Sequence, residues 1–387
     1  MKRSVDVVIV GAGAVGAACA YYAARAGLRV AVVDRGAPAG GTTGAGEGNL
    51  LVSDKAPGPE LELALLSARL WGELAAALGP AAPEYEAKGG LVVASDEPGL
   101  VALRAFAAAQ AAAGVQADEV SADRLTHIEP HLAPGLAGAF RYPQDAQVQP
   151  ALAAAHLLRA ARDEGAVVHF GETVTAVPTA ADGRVLGVRT SRRELPAAAV
   201  VNAAGVWGGE LAELAGVRLP VLPRRGFVLV TEPLPRVVRH KVYAADYVAD
   251  VASDSAALQT SPVVEGTPAG PVLIGATRER AGFDRTLSTE AVRRLAAGAT
   301  ALFPVLAGVS AIRAYCGFRP YLPDHLPAVG PDPRVPGLFH ACGHEGAGIG
   351  LAPATGLVIA QALTDETPAV DLRPFRPERF AAAAASA

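Results

Sequence analysis

Four glycine-bearing stretches carry the residue types and spacings that could do chemistry. The first is Gly11-Ala12-Gly13-Ala14-Val15-Gly16, followed further on by Asp34. Gly11 allows a sharp turn, Gly13 lets the backbone approach a pyrophosphate, and Gly16 lets a helix pack closely on a strand. A pyrophosphate there would sit on unpaired N–H groups at a helix N-terminus, where the positive dipole end favours an anion. Asp34 is placed to accept hydrogen bonds from a ribose 2′-hydroxyl, and its charge would repel a 2′-phosphate. The second stretch is the loop Gly40-Gly41-Thr42-Thr43-Gly44-Ala45-Gly46-Glu47-Gly48-Asn49, whose small residues suit backbone passing close to something flat or anionic. The third is the turn Asn202-Ala203-Ala204-Gly205-Val206-Trp207. In the fourth, Gly343-His344-Glu345-Gly346-Ala347-Gly348-Ile349-Gly350, glycines at a helix start again imply a ligand against free N–H groups.

The elements around these stretches are those the chemistry needs. A β-branched strand over 5–10, an Ala-rich helix to about Arg25 stopped by Gly27, and a second apolar strand ending at Asp34 surround the first glycine motif. In that context, with the acid about twenty residues on, the motif is a dinucleotide fingerprint. Apolar spacing predicts helices over 61–78 (stopped by Gly79-Pro80), 100–113, 151–164 (with Pro150 at its first turn), 289–302 and 351–363, and a short one after Ser121. Strands are predicted over 85–93, 167–170, 185–190, 198–201, 225–230, 242–251, 258–260, 272–277 and 338–342. From about 216 to 311 the character changes to strands and turns with one covering helix, which implies a mixed sheet.

The composition narrows the function classes. A length of 387 residues implies about two or three domains, and 51% hydrophobic with 19% charged residues is a core-forming composition. The net charge is −4 and no basic stripe is interleaved with aromatics, so nucleic acid is not an expected partner. Cys19, Cys316 and Cys342 are odd in number and lack metal-type spacing, which speaks against a disulfide framework or a metal centre and for a reducing cytoplasm. Lys2 and Arg3 precede an uncharged run over 7–24 that imitates a signal peptide, but the glycine spacing accounts for that run. No other stretch is expected to span a bilayer, and the Ala-rich tail over 381–387 reads as a frayed end.

On these motifs, above all the GGTT-type loop after the dinucleotide fingerprint and the NAAGxW turn, the chain resembles the D-amino-acid-oxidase-like flavoproteins. That group contains glycine oxidase, sarcosine oxidase and the flavin subunits of several amino-acid dehydrogenases. The resemblance implies an α/β fold: an FAD-binding Rossmann-like, doubly wound domain with a second, mixed-sheet α+β substrate domain. The FAD domain would be discontinuous (1–80, 145–215 and 312–387), and the substrate domain would comprise 81–144 and 216–311. FAD, held without a covalent bond, would be bound by Gly11, Gly13, Gly16, Asp34, Arg35, Thr42, Thr43, Gly44, Val174, Ala204, Gly205, Trp207, Gly343, Gly346, Gly348 and Ile349. The last helix start would lie at the N1–C2=O edge of the flavin, where its dipole would stabilise the negative charge of reduction.

For catalysis the resemblance implies Arg319 as the carboxylate-binding residue, a role suited to the two-donor fork of guanidinium. Tyr247 would support the same carboxylate, with Tyr243 four residues away as the other candidate. His344 lies beside the flavin by motif, where capping and acid/base roles are both open. Two departures stand out. Glycine oxidase has a second arginine where this chain has Gly346, and sarcosine oxidase attaches its flavin through a cysteine where this chain has Gly317. The loop and helix-start motifs look more like the flavin subunits of hydroxyproline and proline dehydrogenases or of hydrogen cyanide synthase. The implied activity is oxidation of the C–N bond of a small amino or imino acid, D-hydroxyproline or a proline-like compound first. Electrons would pass to small iron–sulfur subunits in a cytoplasmic oligomer. The alternatives are a glycine- or sarcosine-type oxidase using O2, and a non-catalytic FAD-binding subunit.

Overall fold

A computed structural model describes residues 5–79, 83–245 and 255–380. Two eight-stranded sheets organise it. The first follows the path Ala328–Pro331, Leu338–Cys342, Glu194–Asn202, Val5–Val10, Val30–Asp34, Val167–Phe170, and Gly187–Thr190 and Val174–Ala176 extend it beside Glu194–Asn202. Its central strands are parallel, with Val8 opposite Ala31 on one side and Val200 on the other. Val7 to Val10 and Val30 to Val33 are all buried, because helices cover the sheet and such strands need apolar residues on both faces.

The helix Ala14–Arg25 packs against both Pro150–Asp163 and Gly348–Leu363, and the latter packs against Pro59–Leu78. Small residues make this close contact feasible: a Cβ on Gly356 would fall 2.6 Å from the Ala18 carbonyl carbon. The indole Nε1 of Trp71 donates to the carbonyls of Ile349 (3.1 Å) and Gly350 (3.2 Å), tying Pro59–Leu78 to the start of Gly348–Leu363. The 19 residues Glu345–Leu363 are long and apolar enough to cross a membrane. Their hydropathy reflects a core helix, with Leu351, Ala352, Ala354, Val358 and Ile359 all buried against the neighbouring helices.

The second sheet runs Ala311–Tyr321, Leu222–Thr231, Val272–Arg278, Gln259–Gly266, Lys241–Ala244, Gly90–Ala94, Gly138–Tyr142, Asp118–Ser121. It is antiparallel except where Lys241–Ala244 runs parallel to Gly90–Ala94. Strand alternation splits its residues between two environments. Phe227, Leu229, Ile274, Val264, Val242 and Leu91 form an apolar layer with Leu295, Ala299 and Leu302 of the helix Thr289–Leu302. Residues of the opposite register, among them Arg319, Gly275, Glu265 and Lys241, lie on the other face of the sheet. Ala311–Tyr321 pairs with Leu222–Thr231 along its whole length.

Most helices predicted from spacing are present within a few residues. The predicted strand over 85–93 is shorter, Gly90–Ala94, and Asp118–Ser121 is a strand that spacing did not predict. Of the strand expected over 242–251, Lys241–Ala244 is present and residues from 246 on lie outside the described part.

Candidate active site

A cavity of about 440 Å³ runs between the two sheets, and all four glycine-bearing stretches reach it. At its dinucleotide end the turn after Val5–Val10 has almost no free space. A Cβ on Gly11 would lie 2.3 Å from the Ala203 carbonyl oxygen, and one on Gly16 would lie 1.9 Å from that of Gly11. Strand, turn and helix therefore close on each other through main chain alone, which leaves the first turn of Ala14–Arg25 open to the cavity. Thr43 Oγ1 accepts from the Ala14 N–H (3.0 Å) and so docks the GGTT loop on that helix start. Asp34 accepts from the N–H groups of Ala12 (2.7 Å) and Gly36 (2.7 Å), which fixes its carboxylate at the cavity wall.

The NAAGxW turn is held from behind. Asn202 Nδ2 donates to the Gly208 carbonyl (2.7 Å) and lies 3.1 Å from His340 Nδ1, while His340 Nε2 lies 3.1 Å from Asp332. In front, Trp207 carries the Arg35 guanidinium 3.8 Å above its ring and stacks on Phe283 at 6.0 Å.

At the other end, Arg319 reaches the cavity from Ala311–Tyr321. Its Nη1 donates to the Thr277 carbonyl (2.8 Å). Gly226 makes room for the guanidinium, since a Cβ there would lie 2.2 Å from Nη1, and Gly346 flanks it, where a Cβ would meet Nε at an ordinary contact distance of 3.4 Å. Thr42 Oγ1 donates to the Phe318 carbonyl (2.6 Å), linking the loop to the strand that carries Arg319.

The charged residues here are strongly perturbed. Burial holds His344 down to about 3, so its imidazole is neutral, and its Nε2 shares a hydrogen bond with Thr355 Oγ1 (3.0 Å) in the following helix. Burial alone would raise the Glu345 carboxyl. Its bond with His325 Nδ1 (3.1 Å) and its ion pair with the fully buried Arg224 hold it below the ordinary carboxylate value instead. Glu47, at the cavity wall, is raised by burial against the pull of Lys241, Arg319 and Arg278.

The predicted cofactor residues Gly11, Gly13, Asp34, Arg35, Thr42, Thr43, Val174, Ala204, Gly205, Trp207, Gly346, Gly348 and Ile349 all line this one cavity, as do Arg319 and His344. Gly16, Gly44 and Gly343 do not line it. They are packing positions, where an added Cβ would fall 1.9 Å from Gly11 O, 2.4 Å from Ala39 O and 2.2 Å from Leu322 Cδ1. Tyr247 lies outside the described residues. Tyr243 is fully buried and its hydroxyl is 2.6 Å from Ser53 Oγ. Glu345, expected beside the flavin with His344, also lines the cavity, whereas sequence reasoning missed Glu47, Arg224 and Arg285. The signal for Glu47 was its charge inside a loop of small neutral residues.

The donors fit FAD. An acid at a strand end, a helix start closed only by main chain, and a second glycine-rich helix start follow one another along a single cleft. Comparisons with known proteins agree. The FAD dependent oxidoreductase family (DAO) matches residues 6–362. The chain is 32% identical over 422 residues to hydrogen cyanide synthase subunit HcnC of Pseudomonas aeruginosa, covering 98% of this chain and 97% of that protein. It is 31% identical over 396 residues to glycine oxidase of Geobacillus kaustophilus, with 97% of each chain covered. The crystal structure of glycine oxidase from that organism superposes with a TM-score of 0.88 over 98% of this chain and 99% of the other, at 29% identity. That of L-proline dehydrogenase from P. horikoshii, at 21% identity and a TM-score of 0.90 over 99% of both chains, shows the same fold. The cleft, its donor set and these matches lead to one conclusion: the chain belongs to the DAO family of FAD-dependent oxidoreductases.

Proposed function

We propose that this protein is a dehydrogenase that oxidises the C–N bond of a small amino or imino acid, with a cyclic imino acid of the D-hydroxyproline or proline type as its first substrate. Electrons leave to a protein acceptor. The observation that carries the reading is the Arg319 guanidinium, seated between Gly226 and Gly346 at the wall of the FAD cleft. A two-donor fork held in that way binds a carboxylate and fixes the substrate carbon relative to the cofactor. FAD, when bound, supplies the two-electron oxidant. Gly11 and Gly13 would take its pyrophosphate, Asp34 a ribose, and the Gly346-Ala347-Gly348 helix start the flavin. Cys316 packs in the apolar layer on the far face of its strand, and Gly317 faces the cleft, which supports a non-covalent cofactor.

The neutral His344 cannot donate a positive charge to the site, and its bond to Thr355 supports a capping role at the helix start. The domain division, with FAD-binding segments 1–80, 145–215 and 312–387, belongs to this proposal. So do a cytoplasmic location, an oligomeric state and small iron–sulfur partners, for which the support is that a relative is named as a subunit. The similarity to glycine oxidase favours a second reading, an oxidase that reduces O2 itself.

Anaerobic titration of the yellow protein with D- and L-amino and imino acids, followed by admission of air, tests these readings. Bleaching by a cyclic imino acid with slow recovery in air is the expected result. Rapid recovery selects the oxidase, and no bleaching by any compound overturns both.

A further inference from the structure

Behind the Arg319 end of the cleft lies a buried layer of charge that the functions assigned above do not use. Gly275 opens a seat in the second sheet for Glu47: a Cβ there would lie 2.1 Å from Oε1 of that carboxylate. Val263 pairs with Gly275, and Val242 with Val264, so the register sets Lys241 opposite Glu265 and puts all three positions on the face that carries Arg319. Lys241 is 1% exposed and Glu265 is 0% exposed. Among the described residues, Lys241 Nζ, both carboxylate oxygens of Glu265 and Glu47 Oε1 are buried without a hydrogen-bond partner. Beyond them Lys88 Nζ donates to the Gly266 carbonyl (2.5 Å), beside Glu265, and lies 3.4 Å from Glu86, whose side chain is 25% exposed.

Buried ionisable groups left this way are costly, and internal water is the usual means of satisfying several at once. Alternating acids and bases therefore lead from the cavity wall at Glu47, through Lys241, Glu265 and Lys88, to solvent at Glu86. We propose that Glu47, Lys241, Glu265 and Lys88 form a water-carrying proton relay between the Arg319 pocket and the surface at Glu86.

This rests on the amine-oxidation reading, which demands such an exit. An ammonium substrate loses one N–H proton, and its C–H hydrogen leaves with the electron pair to FAD, so an iminium product forms and one proton is released. The substrate is oxidised, FAD is reduced, and the proton is free to enter at Glu47. Each relay group faces others that shape its affinity. Asn49, Lys241, Arg319, Arg278 and Tyr315 surround Glu47. Glu47, Glu265 and Asp145 surround Lys241. Lys241, Lys88, Glu47, Glu86 and Tyr315 surround Glu265. Burial raises both Glu47 and Glu265 and lowers Lys88, which brings acids and bases closer in proton affinity, as transfer along a chain requires.

Two measurements on the FAD-loaded protein test the relay. The first needs no substrate: infrared spectra in H2O and D2O of the parent, Glu47→Gln and Glu265→Gln. A protonated-carboxyl band that disappears in one of these variants and shifts promptly in D2O is expected. Its absence, or exchange as slow as that of core amides, overturns the proposal. The second is anaerobic flavin reduction by the best substrate in H2O and D2O. Glu265→Gln and Lys241→Met should slow it about tenfold, enlarge the solvent isotope effect and allow rescue by a small buffer base that accepts the proton. Unchanged rates and isotope effects with only a lowered melting temperature would assign the layer to structure and overturn the relay. Should no amine reduce the parent's flavin, the functional reading has failed, and the infrared exchange still decides whether the layer carries exchangeable protons.

Discussion

Gly11 and Gly275 are both positions where a Cβ has no room, yet what occupies the space differs. At Gly11 the neighbour is main chain, the Ala203 carbonyl oxygen at 2.3 Å from the absent Cβ, and at Gly275 it is the Glu47 carboxylate at 2.1 Å. The first sheet meets the cleft with backbone: turns, helix starts and N–H groups held by short local contacts. The second meets it with charged side chains seated in a sheet face: Arg319 beside Gly226 and Glu47 on Gly275, and behind them Asp145 is seated on Gly90, where a Cβ would lie 2.2 Å from Oδ2. A rigid backbone cradle binds any ligand with the right phosphates and ribose, while a layer of charges decides what is done to the molecule beside it. Changes in the first region should cost the cofactor, and changes in the second should cost chemistry while leaving the protein yellow.

The largest expected effect tests the first half of that contrast. Gly16→Val drives side-chain atoms into the Gly11 carbonyl and should give protein that retains no FAD after gel filtration, whereas Gly275→Ala, which displaces only the end of the Glu47 side chain, should keep it. The reverse pattern in flavin absorbance would break the comparison. Next, Arg319→Ala should lower kcat/KM by about a thousandfold with full flavin content, and Arg319→Lys should recover part of it, because one ammonium replaces a two-donor fork.

Third, Arg224→Met should lower stability by about 3–5 kcal/mol by leaving Glu345 buried without its guanidinium partner. Adding Glu345→Leu should return most of the loss in a denaturant titration. Fourth comes Asp145, which accepts hydrogen bonds from Ser53 and from the Val52 N–H (2.8 Å) and which burial raises from 3.8 to about 6. The native state holds its proton to higher pH than the unfolded chain does, so this residue's contribution is full below pH 4 and is lost as pH rises through 6. Relative to Asp145→Asn, the parent should lose about 3 kcal/mol of stability over that interval. Smallest, Thr43→Ala removes the acceptor for the Ala14 N–H and should cost about 1 kcal/mol, visible as a small drop in melting temperature.

The contrast between the regions also accounts for what could be read without coordinates. Gly11, Gly13, Gly16 and Asp34 act within one strand–helix–strand unit, so their spacing along the chain already encodes their geometry. Arg319 was legible only through family resemblance, since its partners Gly226, Thr277 and Gly346 come from three separate segments. Of the layer formed by Glu47, Lys241 and Glu265, only the charge of Glu47 within its loop of small residues was legible. Nothing local to 241 or 265 announces that the two strands pair in that register, or that a loop residue near the N-terminus will rest on Gly275. Charges at the ends of otherwise apolar strands read as exposed ends, whereas Lys241 and Glu265 are buried.

The cofactor cleft is closed by the loop hydroxyl of Thr42 on the Phe318 carbonyl and by the indole of Trp71 on the carbonyls of Ile349 and Gly350. Both fastenings join the first quarter of the chain to its last. During synthesis, therefore, the fingerprint at Gly11 to Gly16 emerges long before the segments that complete its pocket, and the whole cleft is available to FAD only once the chain has been made through Ile349. A cell making this protein passes every copy through a flavin-free stage, so the active fraction depends on flavin supply as well as on expression, and messages truncated before Ile349 yield chains with no means of holding the cofactor.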